Sequence, residues 1–449
     1  MIKNFKILRG VVFFSAALSM PLQAWTTQER MIQQQNNLTN GKIATEIKKC
    51  KLQKSRVLDL SSIYLSNLPD AIAELQWVEE LYLSGNHLSQ IPPVVFQLSN
   101  LKKLVLNHNK LTSLPAEIQQ LKNLEVLFIK NNELSSLPDE IKELTSLKKL
   151  NLERNKFTVF PQQIPLLNSL TFLDVSRNPL ESLTTDFSCS PLLTVLKLNE
   201  CSLEKLPPYI EQLKQLHTLE LTETGLSELP DFISDLSELR FLLLNGNNLE
   251  GLPTEFPRLT NLEMLCMDEN GLTAIPEEIY QIPSLLFLSL SSNEIADVDN
   301  RIENLKNLHI LNLSQNQLNE LPSAISTIEF LGAINLSQNQ FSEIPSALLP
   351  LKNLFLLEMA NNQVAEFPEN ISAWSQLLLL DLSCNRLTTL PDSIRYLSRL
   401  KELNLEGNEI SSISNQILHL KALFEINLKK NPLDLLQVEV ERYLERPQL

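Results

Sequence analysis

The sequence predicts an α/β solenoid, a curved stack of like coils. A parallel β-sheet is expected on its concave face and short helices or 3₁₀ turns on its convex face. Three observations carry this. An asparagine slot returns every 23 residues, from position 63 to position 431, with no residue inserted or lost. Apolar and variable residues alternate just before each slot. A proline, then apolar residues at spacing three, follows it. A fixed period of this length marks units that bury their apolar faces only against their neighbours.

Of the seventeen slots, fourteen are asparagine; Ile63, Cys201 and Thr224 are the exceptions. In the unit Lys103 to Glu125, Leu104 and Leu106 alternate with Lys103, Val105 and Asn107, the period of a strand with one buried face. Asn109 turns the chain, and its carboxamide can satisfy backbone groups in the bend and in the adjoining unit. Pro115 fixes φ and can serve as a first helical residue. Ile118, Leu121 and Leu124 then suit a short helix or 3₁₀ turn. Thr184, Asp299, Ser414 and Gln437 break the proline series, which predicts altered turn geometry at those places.

The ends differ from the array. Lys3, Lys6 and Arg9 precede an apolar stretch, Val11 to Met20, and Leu22-Gln23-Ala24 ends in a small residue. This reads as a signal peptide; an uncleaved anchor is the alternative. The expected divisions are a signal peptide over 1–24 and a leader with an amino-terminal cap helix over 25–56. The array of about 17 units follows over 57–436, and a carboxy-terminal cap over 437–449. Ile43, Ile47 and Cys50 fall on one face of a helix near 42–52, and Leu435 to Leu444 reads as a closing helix.

Composition removes several classes. Nine glycines argue against a glycine-rich phosphate loop, and a net charge of -15 argues against wrapping nucleic acid or an anionic membrane. No segment after the signal peptide is long and apolar enough for a membrane span. The five histidines are scattered and no nucleophile elbow or metal-ligand spacing occurs. No catalytic residue, cofactor or metal is therefore expected. Five cysteines, irregularly spaced, include at least one that cannot pair within the chain.

Segments such as Leu380 to Pro391 (LDLSCNRLTTLP) match the pattern LxxLxLxxNxLxxLP position by position. Over about residues 57–436 the chain resembles the leucine-rich-repeat family, in its 23-residue Ras-suppressor-like or bacterial type. The resemblance implies a horseshoe and protein binding. Extracellular animal and plant proteins of this kind carry paired cysteines in their end caps; none is seen here, which points to a bacterial protein. Some bacterial repeat proteins add a ubiquitin-ligase domain, for which the 18 residues after Asn431 are too few.

Side chains two, four and six residues before each slot should project from the sheet and vary freely. The column six before the slot is apolar through the middle: Phe172, Val195, Thr218, Phe241, Met264, Phe287, Ile310, Ala333, Leu356 and Leu379, with Leu243 and Cys266 beside it. Such a column either supports the sheet by cross-strand stacking or forms a partner-binding groove centred on Phe241, Met264 and Phe287. Lys103, Lys130, Lys149, Arg154, Arg177 and Lys197 form a flanking basic set, which is either a steering patch or an ordinary solvated face. The expected function is a non-catalytic solenoid, exported by a bacterium to its periplasm, its surface or the medium, that binds a protein partner on the concave face. The alternatives are a cytoplasmic signalling scaffold for a small GTPase, which the Ras-suppressor likeness implies, and a host-directed effector.

Overall fold

The computed structural model describes residues 41–181, 190–203, 205–433 and 440. The signal peptide, the leader, Thr184, Cys189, Gln437 and nearly all of the closing helix lie outside these residues. The chain divides into two compact units, one ending at Leu147 and the other beginning at Lys148.

The first unit opens with a helix, α1, over residues 41–53. Its buried face is Ile43, Ile47 and Cys50, spaced to line one side of a helix. Four three-residue strands follow: β1 (Val57–Asp59), β2 (Glu80–Tyr82), β3 (Lys103–Val105) and β4 (Val126–Phe128). They pair in chain order, all parallel, each residue opposite the one 23 positions on.

The second unit has the same plan. Its strands are β5 (Lys149–Asn151), β6 (Phe172–Asp174), β7 (Val195–Lys197), β8 (Thr218–Glu220), β9 (Phe241–Leu243), β10 (Met264–Cys266) and β11 (Phe287–Ser289). β12 (Ile310–Asn312), β13 (Ala333–Asn335), β14 (Leu356–Glu358), β15 (Leu379–Asp381), β16 (Glu402–Asn404) and β17 (Glu425–Asn427) complete it. These also pair in sequence, parallel and without slippage.

Among the described residues a short 3₁₀ turn follows every strand except β6 and β17. In the turn Ala116–Gln120, Ile118 N–H donates to Pro115 at 3.1 Å, Leu121 to Ile118 at 3.1 Å and Leu124 to Leu121 at 3.0 Å. Three residues per 3₁₀ turn bring Ile118, Leu121 and Leu124 inward together, and all three are fully buried. Pro115 stands one place ahead of the turn, as its cap, and not in the first helical position. Asp299 and Ser414 leave the turn geometry unchanged. Their φ values are -66° and -63°, close to proline's. Each also accepts a backbone hydrogen bond on its side chain, from Arg301 at 2.7 Å and Gln416 at 3.2 Å. Side-chain capping replaces the preset angle of proline.

The slot asparagines are buried, except the half-buried Asn431, and their contacts repeat from unit to unit. Asn316 Nδ2 lies 2.9 Å from the Leu290 carbonyl, 3.1 Å from Leu313 and 3.1 Å from Ser314. Its Oδ1 accepts from Ile295 N–H at 3.0 Å. One side chain thus closes its own bend and ties it to the preceding unit. The residue ahead of the slot is left-handed in every case, with φ between 53° and 68°, yet it is glycine only at Gly85, Gly246 and Gly407. A left-handed non-glycine residue costs about 1 kcal/mol, which the carboxamide bonds offset where the slot is asparagine. At Gly85 and Gly246 an added Cβ would fall 2.7 Å from Ser62 Oγ and 2.8 Å from Glu223 Cγ, which gives glycine a second reason there.

The exceptions show what the slot requires. Thr224 Oγ1 lies 3.1 Å from the Leu221 carbonyl and 2.8 Å from Asn247 Oδ1. Cys201 Sγ reaches the Val175 carbonyl at 3.6 Å. Neither offers the acceptor that an asparagine holds toward the preceding unit. There Leu180 N–H turns to the Asn178 carbonyl at 2.7 Å, and Leu203 N–H is shared between the carbonyls of Cys201 at 2.9 Å and Thr224 at 3.0 Å.

Replacing Asn316 by alanine should cost about 2–4 kcal/mol, because buried carbonyls and the Ile295 N–H lose their partner. Chemical denaturation of the variant measures this, and a loss below about 1 kcal/mol would show that the backbone satisfies itself without the ladder.

Candidate functional site

The exposed sheet face is built by strand alternation. Around Asn247, Leu242 and Leu244 are buried while Phe241, Leu243 and Asn245 are half-buried on the opposite side. Register then converts a sequence column into a physical one. Phe172 stands opposite Val195, Val195 opposite Thr218 and Thr218 opposite Phe241. Phe241 continues through Met264, Phe287, Ile310, Ala333, Leu356 and Leu379. Leu243 stands beside this column, opposite Cys266. Ala333 and Cys266 are buried; the others in the column retain partial exposure.

A second apolar line lies one residue earlier, at the strand entrance, and reading only alternate positions misses it. Leu286 is 38% exposed and Phe355 41%. Phe330, outside this line and two residues before Gly332, is 49% exposed and stacks on His309, which is in the line, with ring centroids 5.7 Å apart. The Phe355 ring folds over Gly332, where a Cβ would fall 2.6 Å from it. The signal was present in the same 23-residue period, one column over.

The basic residues divide between the two units. Lys103 and Lys130 belong to the first. The Lys103 ammonium lies 2.7 Å from the Tyr82 hydroxyl and 3.8 Å from Glu80. Its pKa is raised, chiefly by that hydroxyl and also by Glu80. Lys149, Arg154, Arg177 and Lys197 belong to the second. Lys197 pairs with Glu220 at 2.7 Å, and Arg177 with Glu200 at 2.7 Å and Glu153 at 3.8 Å. Lys149 and Arg154 are exposed; Arg154 and Arg177 share the wall of an open hollow with Pro179 and Glu200. Much of this positive charge is balanced by neighbouring glutamates, as on a mixed-charge surface.

Carboxylates on the face are set against desolvation. Burial pushes the Asp174 and Asp268 carboxyls up, opposed by hydrogen bonds from Ser176 to the first and from Ser289 and Ser291 to the second. Glu358 is raised by burial and by Asp381. Burial also pushes the Cys201 thiol up to about 11 and Cys266 to about 12. Buried thiols held protonated are poor nucleophiles. Cys50, Cys201 and Cys266 are buried free thiols, and Cys384 is a free thiol at the surface. Among the described residues no set of three or more His, Cys, Asp and Glu is placed to hold a metal, and no helix is long and apolar enough to cross a membrane. His87 lies against Tyr64 with centroids 5.7 Å apart, and His108 Nδ1 lies 2.8 Å from the Asn131 amide.

Family profiles described as leucine-rich repeats match residues 76–134, 122–180, 307–328 and 373–433, and one described as a leucine-rich repeat region matches 176–299. A leucine-rich-repeat protein of Leptospira interrogans is 37% identical, with 83% of this chain and 95% of that one covered and a TM-score of 0.77. The chain belongs to the leucine-rich-repeat family. The plant peptide hormone receptor RGFR1, solved in complex with RGF2, is 26% identical over 85% of this leucine-rich-repeat chain and 68% of its own, with a TM-score of 0.62. YopM, a leucine-rich effector protein from Yersinia pestis, is 24% identical, with 91% and 98% covered and a TM-score of 0.62, and shares the fold. No curated protein sequence matches significantly.

The raised pKa of Glu358 gives a signed prediction. A carboxyl raised in the folded state stabilises below its unfolded pKa, and that contribution is lost as pH rises through the folded value. At neutral pH the ionised group therefore opposes folding. Glu358→Gln keeps an acceptor for Asn335 and should raise the thermal midpoint at pH 7 by on the order of 1–2 °C. The gain should vanish below the ordinary carboxylate range, about pH 4. A lower midpoint at neutral pH would mean that the charge is compensated in the fold.

Proposed function

We propose that this leucine-rich-repeat chain is a non-catalytic, exported bacterial protein that binds a protein partner on the exposed face of its sheet. The observation that carries the reading is the unbroken in-register column from Phe172 to Leu379. Phe241, Met264 and Phe287 form its centre, with Phe172, Leu243 and Ile310 beside them. Contiguous apolar surface rimmed by polar groups is the ordinary signature of a protein interface. Supporting sheet strands does not require the partial exposure these side chains keep. Lys149, Arg154, Arg177 and Lys197, and in the first unit Lys103 and Lys130, are the candidates for steering a partner. The plant receptor, solved with a peptide hormone, offers a parallel for protein-ligand binding. The charge and hydropathy of residues 1–24 support export.

A double variant, Phe241→Asp with Phe287→Asp, should lose partner capture from bacterial or host lysates while its thermal unfolding stays within a few degrees of wild type. Capture of the same partner at undiminished yield would remove the groove. For export, cell fractionation and sequencing of the mature amino terminus should find the chain outside the cytoplasm and beginning near residue 25. Full-length chain with Met1 retained in the cytosol would favour a cytoplasmic scaffold.

A further inference from the structure

The apolar column runs into carboxylates that have no counter-ion among the described residues. Leu356 is followed across the sheet by Leu379, then by Glu402 and Glu425. One column over, Glu358 stands opposite Asp381. Two like-charged pairs therefore occupy opposite positions on neighbouring strands, Glu358 with Asp381 and, both exposed, Glu402 with Glu425. Such cross-strand pairs destabilise a sheet.

Other acidic side chains beside the sheet are paired with cations. Glu220 is neutralised by Lys197 at 2.7 Å, Glu200 by Arg177 at 2.7 Å, Glu263 by Arg240 and Glu406 by Lys430 at 2.7 Å. Glu358, Asp381, Glu402 and Glu425 form no ion pair among the described residues. Glu358 accepts from Asn335 Nδ2 at 2.6 Å, and Asp381 accepts from Ser383 N–H at 2.8 Å and Asn404 Nδ2 at 2.9 Å. The four carboxylates border a hollow of about 180 Å³, floored in part by Leu379 and Leu403. That is smaller than the roughly 300–1,000 Å³ of small-molecule pockets; it is the scale of one inserted side chain. The side-chain set is not arranged for a metal ion.

We infer that this end of the sheet receives an extended segment of a partner protein, which places an arginine or lysine among the four carboxylates and a neighbouring apolar side chain on Leu356 and Leu379. The inference rests on the protein-binding reading above and specifies the chemistry of the partner. The partner's cation supplies the missing counter-charge. A cation among the four carboxylates offsets the repulsion within each opposed pair, which favours basic segments over neutral or acidic ones. An apolar contact beside the charge excludes water and strengthens the pair.

The test is selection of random peptides displayed on phage against the purified chain, followed by affinity measurement with the enriched peptides made synthetically. Enriched peptides should carry arginine or lysine next to an aromatic or branched aliphatic residue. Their affinity should fall about tenfold or more against a Glu402→Gln, Glu425→Gln variant, and equally when the peptide's basic residue becomes glutamine. The variant relieves a like-charge contact, so an unfolding midpoint at or above wild type verifies that it is folded. Enriched peptides without a basic residue, or with equal affinity for the variant, would overturn the inference. Peptides that lose binding to the Phe241→Asp, Phe287→Asp protein but not to the glutamine variant would do so while leaving the protein-binding reading intact. Absence of any enriched peptide would count against both.

Discussion

The structure depends on one repeated hydrogen-bonding group, a buried carboxamide that serves two units at once. An asparagine in the slot donates to a carbonyl of its own bend and to one of the unit before, and it accepts an N–H from that preceding unit, as Asn362 does with Met359, Leu336 and Phe341. Buried backbone groups left without partners cost more than most single contacts return. A residue added or lost anywhere between slots would displace one rung and strand groups in both units. The unvarying period follows from this, and so does the left-handed residue ahead of each slot, which aims the carboxamide inward.

The ladder also frees the sheet face. Leucines pointing inward and carboxamides in the bends satisfy the fold, so the outward positions are not needed to hold it. The chain uses that freedom unevenly. Between β5 and β8 the face is charged and largely self-neutralised, with Lys197 and Arg177 bound to glutamates. Through β9 to β13 it is largely apolar, with Asp268 held by Ser289 and Ser291 and with serine side chains bonded to one another, as Ser291 is to Ser314 at 2.9 Å. From β14 to β17 it carries Glu358, Asp381, Glu402 and Glu425, which form no ion pair among the described residues, beside Glu406, which Lys430 neutralises. Three regimes on one sheet fit a surface shaped by what it touches, since the fold itself makes no such demand.

The identity of the repeats and their register were legible in the residues alone, because the period of 23 admits one alignment of units and parallel pairing then follows. The 3₁₀ turns were legible as far as apolar spacing; that Asp299 and Ser414 keep the proline geometry was not, because it depends on a side-chain bond to a backbone amide. The left-handed position was invisible. Histidine, asparagine, arginine, glutamate and glutamine together occupy it ten times, against three for glycine, so no residue type announces it. The column of Phe241, Met264 and Phe287 could be written down from the sequence, but whether those residues stack as one surface needed the observed register.

The sequence by itself determined the repeating coil, its parallel strands and the burial of the slot, for these follow from periodicity and from the need to satisfy buried polar groups. The tertiary structure alone decided which charges cancel. Lysine and glutamate 23 residues apart meet or miss according to side-chain reach across neighbouring strands, and only coordinates distinguish Lys197 bound to Glu220 from Glu402 facing Glu425. Coulombic pairing is set by distances of a few ångströms between units, and a one-dimensional pattern does not contain them.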